Sequence, residues 1–106
     1  MNIQDKIKQQ LNDSDIVLYM KGSAELPMCG FSARAINILK SCEAKFATVD
    51  VLKDEDVRQG IKAYSNWPTI PQLYIKGEFI GGSDIMAEMC EAGELQDLIQ
   101  NVSPQA

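Results

Sequence analysis

The spacing of apolar residues changes several times between the period of a helix and that of a strand. Over residues 3–12, apolar side chains recur at every fourth position, which is typical of one face of an amphipathic helix. Residues 15–21 and 45–50 are short runs rich in strand-forming residues. Between them, apolar positions recur on one face from Gly30 to Cys42 and predict a second helix.

Turn-forming and acidic residues divide the second half of the chain. The acidic run 54–56 favours the first turn of a third helix, and residues 65–71 (SNWPTIP) interrupt the pattern. Residues 72–82 (QLYIKGEFIGG) are predicted as two strands about a tight turn at residues 76–78, which together form a hairpin.

Two further helices are predicted at the end of the chain. Ser83 and Asp84 are suited to cap a helix that runs to about Glu91. Residues 94–102 form the last helix, and Pro104 ends it.

These elements follow one another in the order α-β-α-β-α-β-β-α-α. The strand-helix-strand unit predicts a parallel pair with a right-handed crossover, and the second half adds an antiparallel hairpin. The expected fold is α/β, with one mixed four-stranded sheet covered by helices on both faces. A chain of 106 residues fits a single domain, residues 1–106, that buries one core without disulfide bonds.

The composition argues against several classes of binding partner and active site. The formal net charge of −5 argues against nucleic acid and membrane as partners, because both reward basic surfaces, and no apolar run is long enough to span a bilayer. The absence of histidine excludes Ser-His and Cys-His nucleophile pairs and zinc sites that use histidine. Three widely separated cysteines without a secretory signal indicate reduced thiols, and we expect a cytoplasmic protein.

Cys29 is the main candidate for chemistry. It follows a strand and a loop at the point where a helix begins, where unpaired backbone N–H groups favour a thiolate. Lys21, at the end of the first strand, adds a positive charge nearby. A disulfide exchanger usually has a second cysteine three positions later, but this chain has Ser32 there. Position alone equally allows a half-buried cysteine that merely begins the helix.

The other two cysteines are not expected to complete this site. Cys42 lies about 20 Å from Cys29 along the same helix, beyond the reach of a disulfide, and is predicted to be buried and inert. Cys90 is interpreted as structural. Two kinds of chemistry remain open to Cys29. It can attack a disulfide, with an external small thiol resolving the product, or it can ligate a metal together with thiols from other molecules.

Both options require a small thiol beside Cys29, and parts of a pocket for one are present in the sequence. Lys21 and Cys29 lie at the expected carboxyl ends of strands, the usual ligand side of an α/β sheet. A cis bond before Pro71 would leave the backbone N–H and C=O of Ile70 free to pair with an extended peptide, whereas an ordinary turn is the alternative.

Polar and charged groups supply the rest of the predicted pocket. The backbone N–H groups of residues 81–84 (GGSD) can hold a carboxylate, and Asp84 can hold an ammonium group. Arg58 and Lys62, one helical turn apart, can clamp a second carboxylate, although pairing with acidic neighbours on the helix surface is the more common arrangement. A thiol, a peptide backbone, two carboxylates and an ammonium group together describe glutathione.

Three motifs, in this order and spacing, resemble the monothiol, CGFS-type glutaredoxins. They are residues 21–32 (KGSAELPMCGFS), 67–74 (WPTIPQLY) and 77–85 (GEFIGGSDI), and the match spans almost the whole chain. The resemblance implies a thioredoxin-like fold in a single glutaredoxin domain. It also implies a glutathione site and a 2Fe-2S cluster shared by two protomers. Each protomer would contribute Cys29 and one glutathione, whose thiol is the second ligand.

The resemblance further implies a role for each pocket residue. Lys21 and Arg58 would hold the glycine carboxylate of glutathione, and Ile70 would pair with its backbone. Ser83 and Asp84 would hold the γ-glutamyl end. Many relatives carry cysteine at the position of Ser83; serine keeps the N–H and the hydroxyl but removes a second redox thiol.

The implied function is that of an iron–sulfur cluster carrier, which accepts a cluster from an assembly scaffold and passes it to apo iron–sulfur proteins. The expected partners are a second copy, in a homodimer bridged by the cluster, and a BolA-like protein in a heterodimer. The alternative is a glutathione-dependent thiol-disulfide oxidoreductase that reduces protein–glutathione mixed disulfides through Cys29. A third hypothesis is an interaction module whose cysteine has no chemical role.

Overall fold

The computed structural model describes residues 2–102, whose helices and strands follow the predicted order. The helices are α1 (Ile3–Asp13), α2 (Gly30–Ser41), α3 (Glu55–Ser65), α4 (Ser83–Glu91) and α5 (Glu94–Val102), and the strands are β1 (Ile16–Met20), β2 (Ala47–Asp50), β3 (Gln72–Ile75) and β4 (Glu78–Gly81). The predicted type and order of these elements are confirmed. The predicted end of α5 at Pro104 lies outside the described residues. No helix among residues 2–102 has both the length and the apolar character needed to cross a bilayer.

The strands form one mixed sheet in the order β2-β1-β3-β4, which confirms the predicted four-stranded sheet. β1 pairs parallel with β2, and β3 pairs antiparallel with both β1 and β4. Lys76 and Gly77 close the hairpin with positive φ angles of 53° and 77°, as a two-residue hairpin turn requires. The turn is shorter than the predicted residues 76–78, because Glu78 already begins β4.

Helices cover both faces of the sheet, which is why every residue of β1 is buried. Successive side chains of a strand point to opposite faces. Those of Ile16, Leu18 and Met20 pack with α2, α4 and α5. Those of Val17 and Tyr19 pack with α1 and α3 on the other face. The strands are therefore held firmly from both sides, and the loops that leave their ends start from fixed points.

The helix starts differ in how their free N–H groups are satisfied. Asn2 caps α1 and Asp54 caps α3, each with a side-chain oxygen that accepts a backbone N–H. In contrast, α4 begins after Gly82 with no side-chain cap. The prediction that Ser83 and Asp84 cap α4 is therefore wrong: both residues lie inside its first turn, and the Asp84 carboxylate is used elsewhere. The first N–H groups of α4 remain available for a ligand.

Candidate functional site

The loop that follows β1 brings Cys29 to the start of α2. Gly22 and Pro27 form a short antiparallel bridge, and the Met28 N–H donates a hydrogen bond to the Lys21 C=O at 2.9 Å. These contacts fold the loop back on itself. Cys29 therefore lies close to the carboxyl end of β1.

Gly22 is required for this loop to close. Its φ is +92°, in the region that favours glycine, and a Cβ there would lie 2.5 Å from the Leu26 carbonyl oxygen and 2.6 Å from the Met28 nitrogen. The Gly22 N–H also donates to Oδ1 of Asp50, the last residue of β2, at 3.0 Å. The loop is thus attached to two neighbouring strand ends.

The start of α2 favours a negative charge on the Cys29 sulfur. Cys29 is the N-cap residue, and although its side chain closes no ordinary capping hydrogen bond, its sulfur faces the N–H groups of the first turn. The pKa of the Cys29 thiol is lowered, and the backbone N–H of Ser32 is the main cause. The Phe31 N–H, the Ser32 hydroxyl and the charge of Lys21 add to this effect, while partial burial opposes it. This is the environment predicted for a reactive thiolate.

Ser32 has a structural role as well as an electrostatic one. Its side chain is buried, and its Oγ accepts a hydrogen bond from the Lys21 N–H at 3.1 Å. The residue that stands in place of a second cysteine therefore joins the end of β1 to the first turn of α2.

The lowered pKa of Cys29 predicts how its reactivity depends on pH. In a Cys42→Ser, Cys90→Ser background, we expect alkylation of Cys29 by iodoacetamide to reach half its maximal rate below the pH typical of an unperturbed thiol. Ser32→Ala should raise that midpoint only in part, because the larger contribution comes from a backbone N–H that alanine keeps. A midpoint at or above the ordinary thiol value would contradict this electrostatic account.

The segment between α3 and β3 forms the opposite wall of the site. The Ile70–Pro71 peptide bond is cis, as predicted. Within residues 2–102, no backbone hydrogen bond outside the regular elements engages the N–H or C=O of Ile70. The predicted edge for an extended peptide is therefore present.

Gln72 holds this wall in place, although sequence reasoning did not identify it. Its side chain is fully buried, and its amide nitrogen donates to the carbonyls of Trp67 and Thr69, both at 3.1 Å. Its Oε1 accepts from the Tyr74 hydroxyl at 3.0 Å. A polar residue at the start of an otherwise apolar buried strand was the available signal, since such a residue needs partners.

The first turn of α4 closes the third side. The Asp84 carboxylate accepts a hydrogen bond from Arg34 of α2 at 3.0 Å, a pair that sequence reasoning missed. The Asp84 side chain is 84% exposed and that of Arg34 is 51% exposed, so the pair contributes at most about 1 kcal/mol. Such a weak pair leaves Asp84 free to exchange Arg34 for a cationic group of a ligand.

The basic residues divide between the site and the surface. Lys21 and Lys62 line the site, whereas Arg58 does not. The Arg58 guanidinium lies 3.7 Å from Glu55, as the surface-pairing alternative anticipated. Its buried Nε has no hydrogen-bond partner among the described residues. A role for Arg58 in ligand binding stays a prediction, and Lys62, one turn further along α3, is the better placed of the two.

These walls enclose an open cavity of about 440 Å³, within the roughly 300–1,000 Å³ typical of small-molecule sites. The predicted pocket residues line it, with the exceptions of Arg58 and Gly81. The full lining consists of Lys21, Cys29, Phe31, Lys62, Trp67, Pro68, Thr69, Ile70, Pro71, Gly82, Ser83, Asp84 and Ile85.

Among the described residues, the exposed large apolar side chains other than Leu52 belong to this cavity or to the loop just before Cys29. We call this set the apolar rim: Leu26, Met28, Phe31, Trp67 and Ile85. Phe31 is 60% exposed, which is unusual for a large aromatic side chain beside a reactive thiol. Exposed apolar groups near a polar site are typical of an interaction surface.

The described residues offer no complete metal site. Among residues 2–102, no group of three or more histidine, cysteine or acidic side chains is placed to hold a metal ion. Cys29 lies at the start of α2 and Cys42 at its end, as predicted, so the second thiol cannot join the first. Any metal bound at Cys29 therefore needs further ligands from beyond residues 2–102.

A lone thiol with a lowered pKa at a helix start, beside a cis-proline loop at one edge of a mixed sheet, defines a thiol protein of the thioredoxin-like class. The model of the glutaredoxin family matches residues 16–80, and the chain belongs to that family. Because serine occupies position 32, it is a monothiol member, as predicted.

Curated glutaredoxins are similar to this sequence over nearly its full length. The sequence is 52% identical over 103 residues to Glutaredoxin 4 of Haemophilus influenzae (strain 86-028NP), covering 97% of this chain and 96% of the relative. It is 50% identical over 99 residues to Glutaredoxin 4 of Escherichia coli (strain K12), covering 93% and 86%.

Solved structures confirm the thioredoxin-like fold. The solution structure of reduced poplar apo GrxS14 matches with a TM-score of 0.84 and 44% identity, over 97% of this chain and 94% of that one. The crystal structure of a buckwheat glutaredoxin–glutathione complex matches with a TM-score of 0.85 over 98% and 93%. Its 21% identity makes that second likeness one of fold alone.

Proposed function

We propose that this protein binds glutathione beside Cys29 and, with a second copy, carries a 2Fe-2S cluster for iron–sulfur protein biogenesis. One observation carries the proposal. The single thiol of Cys29, with its lowered pKa, opens onto a cavity whose walls present lysines and unpaired backbone groups, while residues 2–102 supply no group of side chains placed to hold a metal ion.

The backbone of glutathione matches the wall formed by Ile70. A tripeptide laid against this wall can exchange hydrogen bonds with the N–H and C=O of Ile70, in the manner of an added strand. Its central thiol would then face Cys29, which lines the same cavity. The buckwheat glutaredoxin, which shares this fold, is known in complex with glutathione.

The two ends of glutathione match the charges at the two ends of the cavity. Lys21 and Lys62 suit the glycine carboxylate, with Arg58 on the same helix as the predicted further contact. At the other end, the uncapped N–H groups of Ser83 and Asp84 suit the γ-glutamyl carboxylate. The exposed Asp84 carboxylate suits the ammonium group.

The number of available thiolates determines how a cluster can be held. A 2Fe-2S cluster takes four ligands, and this chain offers Cys29 alone at the site. The Cys29 thiols of two protomers and the thiols of two glutathione molecules would together supply the four ligands. The apolar rim around Cys29 supplies a surface on which a second copy can dock.

This ligand set suits delivery rather than permanent storage. Half of the ligands are small molecules that can exchange, so a recipient protein can displace them one at a time. The expected donors and recipients are an assembly scaffold and apo iron–sulfur proteins, and a BolA-like protein is the proposed alternative partner. A cytoplasmic location stays a prediction.

Anaerobic reconstitution of the full chain tests the proposal. With iron, sulfide and glutathione, we expect visible cluster absorption, a dimeric mass, and about two iron atoms per two chains. Without glutathione, neither the colour nor the dimer should form. Equal cluster loading without glutathione, or a loaded monomer, would overturn the proposed ligand set.

The second candidate function is glutathione-dependent reduction of mixed disulfides. The lowered pKa of Cys29 favours it, because a thiolate attacks a glutathionylated thiol and a free glutathione then resolves the product. Turnover of a glutathionylated peptide by iron-free monomer, with glutathione and its reductase, measures this activity. Fast turnover by protein that fails to load a cluster would make this the main function.

A further inference from the structure

Cys42 and Cys90 come together at the end of the molecule remote from the cavity. Cys42 ends α2 as its C-cap residue, and Cys90 lies in the last turn of α4. The two cysteines are far apart in sequence, but α2 and α4 pack against each other, both cysteines lie against the same hydrophobic core, and the Cys90 thiol is near enough to affect the pKa of Cys42. The prediction of a buried Cys42 is wrong, because both thiols are half-buried and free.

The surroundings of this pair resemble a dithiol site more than an inert core. The amide nitrogen of Gln96 lies 3.4 Å from the Cys90 sulfur and 3.1 Å from the Cys90 carbonyl oxygen, so the last turn of α4 is held in place. Partial exposure of both thiols leaves room for a small reagent. Burial and the adjacent Cys90 thiol raise the pKa of Cys42, which keeps it protonated near neutral pH.

We propose that Cys42 and Cys90 form a second redox site, which low-molecular-weight disulfides such as oxidised glutathione convert to an intramolecular disulfide. In the first step the Cys90 sulfur attacks the small disulfide, forms a mixed disulfide and releases one thiol. In the second step the Cys42 sulfur attacks Cys90, closes the protein disulfide and releases the second thiol. The pair loses two protons and two electrons, and the small disulfide takes them up as it is reduced to two thiols.

The order of the two steps follows from the surroundings of each sulfur. The raised pKa of Cys42 makes it the poorer first attacker. Once Cys90 carries the small thiol, Cys42 lies at the same end of the neighbouring helix and is the thiol placed to resolve it. The site therefore has the resolving thiol that Cys29 lacks.

The disulfide would join the far ends of the two helices that build the cavity. Cys29 is the N-cap residue of α2 and Gly82 that of α4, and the Arg34–Asp84 pair already links the two helices near their starts. A bond at the other end closes a long loop of the chain, which restricts the unfolded state. Oxidation is therefore expected to stabilise the framework of the site without touching its ligands.

Iron-free Cys29→Ser protein isolates this pair from the main site. After incubation with an excess of oxidised glutathione, we expect the intact mass to fall by about 2 Da, since two hydrogens are lost. Peptide mapping should recover Cys42 linked to Cys90. The unfolding midpoint should rise by an amount on the order of 10 °C.

The matched control is the Cys29→Ser, Cys90→Ser variant, which should show neither the linked peptide nor the rise in midpoint. A Cys29→Ser chain that keeps two free thiols, retains a stable glutathione adduct, or cross-links only between chains would overturn the proposal. The experiment uses no cluster and no Cys29, so failure of the proposed carrier function would leave its outcome unchanged.

Discussion

Replacing Cys29 with serine is expected to abolish the visible absorption and the dimerisation of the reconstituted protein. The main-chain N–H groups at the start of α2 stabilise a thiolate, but a serine hydroxyl stays protonated at neutral pH and is a poor ligand for iron. Residues 2–102 place no alternative ligand group at the site. The loss should therefore be complete, and iron analysis with size-exclusion chromatography measures it directly.

Two variants provide matched controls for this loss. Cys42→Ser and Cys90→Ser each remove one thiol at the other end of α2 and α4, and both should load the cluster as the unaltered protein does. Cys29→Ser should also still bind glutathione in a calorimetric titration, because every other residue of the cavity wall is unchanged. Retention of cluster by Cys29→Ser would refute the carrier proposal.

Replacing Gly22 with alanine is expected to cost about 2–4 kcal/mol in the free energy of unfolding, measured by urea denaturation. Two effects add. The φ of +92° strains any L-residue, and the new Cβ would lie only 2.5 Å from the Leu26 carbonyl oxygen. Because the loop must shift to relieve this clash, Cys29 should move away from the end of β1. Glutathione binding should weaken together with stability.

Gly77→Ala is the control that separates the backbone strain of a positive φ from the steric clash of the added Cβ. Gly77 has a similar φ of +77°, but a Cβ there meets nothing within 4 Å. We expect it to cost about 1 kcal/mol, the usual penalty for a left-handed residue, and to leave glutathione binding intact. Equal losses of stability in Gly22→Ala and Gly77→Ala would show that the close packing of the loop contributes nothing.

The elements were predictable because each has a local signal. Apolar spacing indicated α1 and α2, and the positive-φ residues Lys76 and Gly77 lie in the turn that the hairpin pattern predicted. The cis bond at Pro71 and the helix start at Cys29 were likewise visible in the order of residues. Most of the cavity wall follows from these local features.

The missed features all depend on packing between distant segments. The Arg34–Asp84 pair and the Cys42–Cys90 pair arise because α2 and α4 lie side by side, which no local pattern encodes. The presence of Lys62 in the cavity, in place of Arg58, depends on how α3 is rotated against the sheet. Sequence spacing placed both on one helix face but could not distinguish between them.

The hydroxyl of Ser32 has a consequence for how this site can change over time. It accepts the Lys21 N–H from a fully enclosed position, where sulfur would be both larger and a weaker acceptor. A mutation that introduced a resolving thiol there would loosen the junction between β1 and α2 before it conferred any new chemistry. The architecture of the chain therefore favours a single thiol, and a second thiol at position 32 would require compensating changes around it.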